Sequence, residues 1–292
     1  MKKIIYLFLA IFIVASTQSC SRVGDEDGDL LNNLDYNQGG LSANRFLYQE
    51  FNSVDTLAEY HYSGRRLVEV LNPRSKTNII YNGELINKIT FYQIVGVDST
   101  AYTQYLTYDG TAKYIKNISE VGATYKAYKA TTPGPILRYK AVHDLTYNAD
   151  ATLKDITTKN GADNPAVAFQ YTSYVRNTFT FGADKKNVIK VVRDIGPYTS
   201  AGFGAAAQQK VYSYLDYDSK IAPHTLLPFG YNVTSLLKDV AKNQWISANN
   251  PKQIVITDEM IPTPTVLTTN YTYDPLDYML SGFGRNYDYR PF

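Results

Sequence analysis

In 292 residues the chain has one cysteine, one tryptophan, three methionines and three histidines, and each scarcity closes a route. A lone thiol, Cys20, permits neither an internal disulfide nor a thiolate metal site. The histidines, His61, His143 and His224, stand about eighty residues apart with no second ligand at His-x-x-x-His spacing. They read as surface or turn residues, and no metal site is expected. A basic excess is missing too: the formal net charge is +2, and the leader carries Lys2 and Lys3. Without that leader basic and acidic side chains balance, which excludes the electrostatic footprint of a nucleic-acid binder. The longest apolar run, Ile4 to Ala15, is too short to cross a bilayer as a helix.

That run fits the core of a secretory signal, with a basic start before it and the small or polar residues Ser16-Thr17-Gln18-Ser19 after it. Cys20 follows at once. The segment resembles a bacterial lipoprotein signal in which the chain is cut before the cysteine and the thiol is acylated; Thr17 is similar to the relaxed form of that signal seen in Bacteroidota. The resemblance implies that residues 1–19 are removed and that Cys20 is the lipid anchor, its several acyl chains holding the protein to the membrane. Residues 20–40 read as a flexible acidic tether, rich in glycine and asparagine. Its Asp25-Glu26-Asp27-Gly28-Asp29 run resembles the export tag that sends some Bacteroidota lipoproteins to the cell surface. It is not a calcium loop, because Leu30 and Tyr36 stand where the turn glycine and the bidentate glutamate belong.

Tyrosine is what the chain has in plenty, twenty-seven residues against twelve phenylalanines. Many stand in a repeated form: two aromatic or apolar residues spaced by two, a turn, then an apolar run. Tyr271-Thr-Tyr273 ahead of Asp274-Pro275 is the fullest copy. Earlier ones centre on Tyr60/Tyr62, Ile79/Tyr81, Leu106/Tyr108, Leu145/Tyr147, Phe179/Phe181 and Tyr212/Tyr214. Spacing of two puts both side chains on one face of a strand. Ser63-Gly64, Asn82-Gly83 and Asp109-Gly110 then reverse the chain. The expected fold is mainly β: one domain over 41–292, an antiparallel meander of hairpins forming a large twisted or curved sheet. Turns are also expected at Asn160-Gly161 and Thr131-Thr-Pro133-Gly134-Pro135, a long loop at Gly196 to Ala207 and a break at Pro262-Thr-Pro264. One short helix is expected near 234–243, from the stripe Leu236, Leu237, Val240 and Ala241, capped by Thr234 or Ser235 and covering one end of the sheet.

The Tyr-x-Tyr-turn pattern, the stretch Tyr212-Ser-Tyr214-Leu-Asp216-Tyr-Asp218 ahead of Pro223, and Asn249-Asn250-Pro251 followed by Ile254-Val-Ile256 resemble a family of Bacteroidota lipoproteins of unknown function. Their local pattern is similar to YD-repeat, or RHS-like, sheets. The resemblance covers about residues 45–292 and implies fold and location rather than an activity.

No catalytic constellation is expected. Ser200 lacks the glycine of a nucleophile elbow. Gly202-Phe-Gly204-Ala-Ala-Ala207 spells a dinucleotide fingerprint without the βαβ unit that makes one work, so no cofactor is expected. Asp216 and Asp218 could pair as in a glycoside hydrolase, but aspartates here mostly fall in turns. Asp55-Thr56-Leu57 and Asp98-Ser99-Thr100 resemble the O-glycosylation acceptor of Bacteroidota envelope proteins. The expected function is therefore a lipid-anchored outer-membrane or cell-surface binding or scaffolding protein without catalytic activity, with a glycan or an envelope protein as partner. The alternative is a periplasmic or envelope carrier of a lipid or other hydrophobic ligand.

Overall fold

A computed structural model describes residues 45–95, 98–111, 114–128 and 137–291. The expected leader, Cys20, the tether and the loop at 131–135 lie outside the described residues. The first strands are β1 (Arg45–Phe51), β2 (Thr56–Ser63), β3 (Arg66–Asn72), β4 (Ser75–Asn82), β5 (Leu85–Val95) and β6 (Asp98–Tyr108). Next come β7 (Ile115–Tyr128), β8 (Leu137–Tyr147), β9 (Leu153–Ala162), β10 (Ser173–Phe181), β11 (Val188–Thr199), β12 (Gly202–Phe203) and β13 (Gln208–Tyr217). A helical insert separates β13 from β14 (Pro251–Asp258), β15 (Ile261–Thr268), β16 (Thr272–Tyr273), β17 (Met279–Gly282) and β18 (Arg285–Pro291).

These strands make one antiparallel sheet, the expected meander of hairpins. Each strand from β1 to β11 pairs with the next, β13 follows β11, and β14 and β15 complete that end. At the other end β18 pairs with β1, β17 with β18 and β16 with β17. The two ends approach one another. The Tyr271 hydroxyl donates to the Pro251 carbonyl at 2.5 Å. The Tyr273 hydroxyl reaches the Asp218 carboxylate, and Ile221 bridges to Tyr278. The seam is thus held by side chains and single bonds rather than by a strand ladder.

The repeat has a specific geometry. Its second aromatic pairs with a buried side chain near the start of the next strand: Tyr62 with Leu67, Tyr81 with Ile86, Tyr108 with Ile115, Tyr147 with Leu153, Phe181 with Val188, Tyr273 with Met279. One pair further along, the register has slipped by a residue. Val68, Asn87, Lys116, Lys154, Ile189 and Leu280 therefore each occupy a bulge at the same place in their hairpin. A bulge increases local right-handed twist, and the same bulge in hairpin after hairpin helps to curl the sheet.

The tyrosine hydroxyls then reach back one repeat. Tyr62 donates to Leu47 O at 2.9 Å, Tyr81 to Leu67 O at 3.1 Å and Tyr108 to Ile86 O at 3.0 Å. Tyr147 donates to Ile115 O at 3.0 Å, Tyr217 to Val188 O at 2.5 Å and Tyr289 to Met279 O at 2.7 Å. The aliphatic side chains of the accepting residues are at most 3% exposed. Each clasp ties a buried layer to its neighbour at the end of the strand where the bulge frees the backbone.

Several sequence expectations change. Asn160-Gly161 is not a turn but lies inside β9, where a Cβ on Gly161 would stand 2.3 Å from the carbonyl oxygen of Gln170. Glycine is there for close backbone approach. The long loop expected from Gly196 is shorter, because β11 runs to Thr199 and turns into β12. Residues 167–170 precede β10, which starts at Ser173. Pro262 and Pro264 do not break a strand but lie in β15, exposed along its whole length at one end of the sheet. Proline is tolerated on such an edge and blunts it against further pairing.

The helix also moves. It spans Phe229–Lys238, here α1, preceded by a 3₁₀ turn at Pro223–Leu226 and followed by another at Val240–Ile246. Thr234 is not its cap: it sits mid-helix, buried, its hydroxyl donating to Tyr231 O at 2.9 Å. Nor does α1 cover an end of the sheet. Phe229, Tyr231, Val233 and Leu236 are all buried, and the space a Cβ on Gly230 would need is 3.1 Å from Leu106, 3.4 Å from Ile86 and 3.6 Å from Ile115. The helix lies against the inner face of β5 to β7. Other parts of the insert touch β1, β11 and β18, so the sheet curls around it.

Candidate functional site

The insert is anchored by two buried carboxylates. A bulge at Tyr48 resets the alternation of β1, so that Leu47 and Glu50, three apart, both face inward. Glu50 is 1% exposed and saturated with donors. His224 Nε2 lies 2.8 Å from its Oε1, Arg285 Nη1 donates to Oε2 at 2.8 Å, and the Tyr60 hydroxyl donates to Oε1. The His224 ring stacks on Trp245 at 3.7 Å and 10°, and Lys242 Nζ stands 4.4 Å from the Trp245 ring centre. The one tryptophan is therefore occupied within the insert. Burial alone would raise the Glu50 pKa; His224, Arg285 and Tyr60 outweigh it and hold the carboxyl well below the usual range. Burial pushes His224 down despite Glu50 beside it, and against an ionised carboxylate Nε2 is the donor.

The second carboxylate is Glu120 on β7, 2% exposed. Gln104 Nε2 donates to its Oε1 at 3.0 Å, Lys238 of α1 pairs with it, and His143 Nε2 lies 3.6 Å away. The other His143 nitrogen, Nδ1, is 2.7 Å from the Thr158 hydroxyl. Burial would raise Glu120, but His143 and Lys238 bring it well below the usual carboxylate range; burial pushes His143 down. Both networks join the insert to the sheet wall.

Between them lies a cavity of about 390 Å³ that opens to solvent, walled by β2 to β6 on one side and by α1 and the following turn on the other. Tyr102 and Phe91 stack at 4.7 Å on the sheet side. Thr77, Gln93, Ser235 and Lys242 add polar groups. The volume and the mix of aromatic wall with a few polar groups fall within the range of small-molecule sites.

The residues singled out in the sequence are not brought together here. His61 is on the outer side as expected, 3.0 Å from Glu59, whereas His143 and His224, expected at the surface, are 3% and 6% exposed. His224 is buried in its contact with Glu50, and His143 lies between Thr158, met by its Nδ1, and Glu120. Asp216 is exposed with a positive φ of 55°. Asp218 is engaged by Asn250 and Tyr273 and accepts from the Lys220 N–H at 2.9 Å, a turn and seam role. Gly202 and Gly204 stand at the tip of the β11–β12 hairpin. Among the described residues no group of three His, Cys, Asp or Glu is placed to hold a metal ion. The residues that sequence reading missed are Glu50, Glu120, Lys238, Lys242 and Arg285. Only Lys238 and Lys242 carried a signal, their i, i+4 spacing across the helical stripe.

No protein-family model and no curated protein matches the chain. Among solved structures it is similar to a porin-like protein from Bacteroides vulgatus, at 11% identity and a TM-score of 0.49, over 85% of this chain and 100% of that one. A likeness at that level carries no functional reading.

Proposed function

We propose that this chain is a lipid-anchored, non-catalytic binding module of the outer membrane, displayed at the cell surface, and that its ligand enters the cavity between α1 and the wall from β2 to β6. One observation carries the reading: a solvent-connected cavity of about 390 Å³ with polar and aromatic walls held by the Glu50 and Glu120 networks. Such walls are pre-formed, which suits binding. They do not suit acid–base chemistry. Glu50 and Glu120 are held ionised by their donors, so neither has a proton to give, and a carboxylate whose pKa is held that low is a weak base. A lipid carrier would need an open apolar interior, whereas Leu227, Phe229, Val233 and Leu236 of the insert occupy the concave face. The leader, Cys20 and the acidic run at 25–29 support the anchor and the surface location.

Two measurements test this. Cys20→Ser should abolish metabolic labelling by palmitate, and protease shaving of intact cells should remove the domain while a periplasmic control survives. For the cavity, a panel of neutral and charged sugars and metabolites is screened by thermal shift against the full chain in detergent. Ser235→Trp, which fills the cavity, should remove every shift; shifts that persist in that variant would sink the cavity reading.

A further inference from the structure

The charges at the cavity balance, Glu50, Glu120 and Asp239 against Arg285, Lys238 and Lys242. Two pairs are committed: Arg285 to Glu50, and Lys238 to Glu120, with Lys238 also 4.4 Å from the centre of the Tyr102 ring. One group of each sign remains, Asp239 and Lys242, i and i+3 where α1 gives way to the following turn. Asp239 is the main counter-charge that Lys242 feels, ahead of Glu50. Yet among the described residues the two make no direct ion pair. The ammonium lies 4.4 Å from the centre of the Trp245 ring, and the Asp239 Oδ1 accepts from the Ala241 N–H at 3.0 Å. The insert therefore has no net charge to draw a simple anion or cation, but offers one cation and one anion side by side, each with hydrogen-bonding capacity to spare.

The sheet wall differs. Strand register lays Val70, Thr77, Phe91 and Tyr102 in one row across β3 to β6, with Ile89 in the adjoining row and Ala58 of β2 beside them. Asn72, Ser75 and Gln93 form a polar row at the turn end of β3 and β4. The cavity thus has an apolar middle on the sheet side and a charge pair on the insert side. A ligand polar all round leaves that apolar wall unused, and a wholly apolar one strips water from two charges without replacing it. We infer that the cavity takes an apolar α-amino acid, its carboxylate on Lys242, its ammonium on Asp239 and its side chain against Val70, Ile89 and Phe91. The inference rests on the cavity reading above and names its ligand class. A free amino acid suits the site better than a peptide, because its two charges are separated by a single carbon and the two side chains that meet them stand within one helical turn.

The test is titration calorimetry of the full chain in detergent with L-leucine, L-phenylalanine, N-acetyl-L-leucine, L-leucinamide and glycine. The last three lack the ammonium, the carboxylate and the side chain in turn. Loss of a charge-assisted contact or of a buried aliphatic side chain weakens binding about tenfold or more, so leucine or phenylalanine should exceed each of the three by that factor. Asp239→Asn keeps the oxygen that caps the turn and should erase the preference over N-acetyl-leucine while leaving that over leucinamide. Lys242→Gln should do the reverse, with thermal unfolding checking that both variants fold. Equal binding of leucine, its acetyl form and its amide that disappears in Ser235→Trp overturns the zwitterion assignment and leaves the cavity reading standing. Equal binding that survives Ser235→Trp overturns both. Glycine binding as tight as leucine and phenylalanine, or no binding of either apolar amino acid, overturns the amino-acid assignment, and the wider panel then decides the cavity reading separately.

Discussion

Phe181 occupies the repeat position where Tyr62, Tyr81, Tyr108 and Tyr147 stand, but it has no hydroxyl to give. It pairs with Val188 across a hairpin with the same bulge, and by analogy its para position faces the carbonyl of Leu153, as Tyr147 faces that of Ile115. Phe181→Tyr should complete the series. A neutral hydrogen bond contributes a net of about 0.5–1.5 kcal/mol. For a domain of this size each kcal/mol moves Tm by about 2–4 °C, so a rise of roughly 1–6 °C is expected. The reverse substitution at an intact clasp, Tyr108→Phe, removes the donor and leaves a part-buried carbonyl short of a partner, for a loss of about 1–3 kcal/mol. Urea unfolding of wild type, Phe181→Tyr and Tyr108→Phe reads both effects, with an unchanged m-value showing that stability itself has moved. A neutral or destabilising Phe181→Tyr together with a harmless Tyr108→Phe would mean that the hydroxyls are incidental and the clasp idea is wrong.

Acid should weaken the fold. The buried His143 and His224 have pKa values below the ordinary 6.5, so the unfolded chain takes up protons there that the folded chain refuses. Stability is complete above that value and falls below it, by up to about 1.4 kcal/mol per pH unit for each histidine. Glu50 and Glu120, held below the ordinary 4.5, act in the same direction at lower pH. Urea midpoints at pH 7.5, 6.0 and 5.0 should decline, and His224→Gln, which keeps a neutral donor towards Glu50, should flatten the decline; a level profile in wild type would refute the assignment. Gly161→Ala drives a methyl to 2.3 Å from a backbone oxygen and should destabilise by more than about 2 kcal/mol, whereas Gly110→Ala, with open space around it, should change little. Trp245→Ala removes the ring stacked on His224 and should cost about 3–5 kcal/mol, measured by the same unfolding assay.

What the sequence determined by itself was local. Alternation of period two, Gly64 and Gly83 at positive φ, and the recurring aromatic pair are properties of a few adjacent residues, and they define the hairpins, the meander and the inward face. The stripe around Leu236 gave a helix, though not its start at Phe229, because burial on several sides replaces the one-sided pattern that marks a surface helix. Tertiary structure decided the rest. A glutamate at position 50 in a strand reads as solvent-facing until the bulge at Tyr48 turns it inward, and nothing near it announces partners 174 and 235 residues away. The tyrosines were legible as strand residues but not as clasps, since the carbonyls they reach belong to the preceding repeat. The cavity exists only because the sheet curls around an insert whose chain lies between β13 and β14. Periodicity is written along the chain, whereas burial and charge balance depend on which distant segments meet.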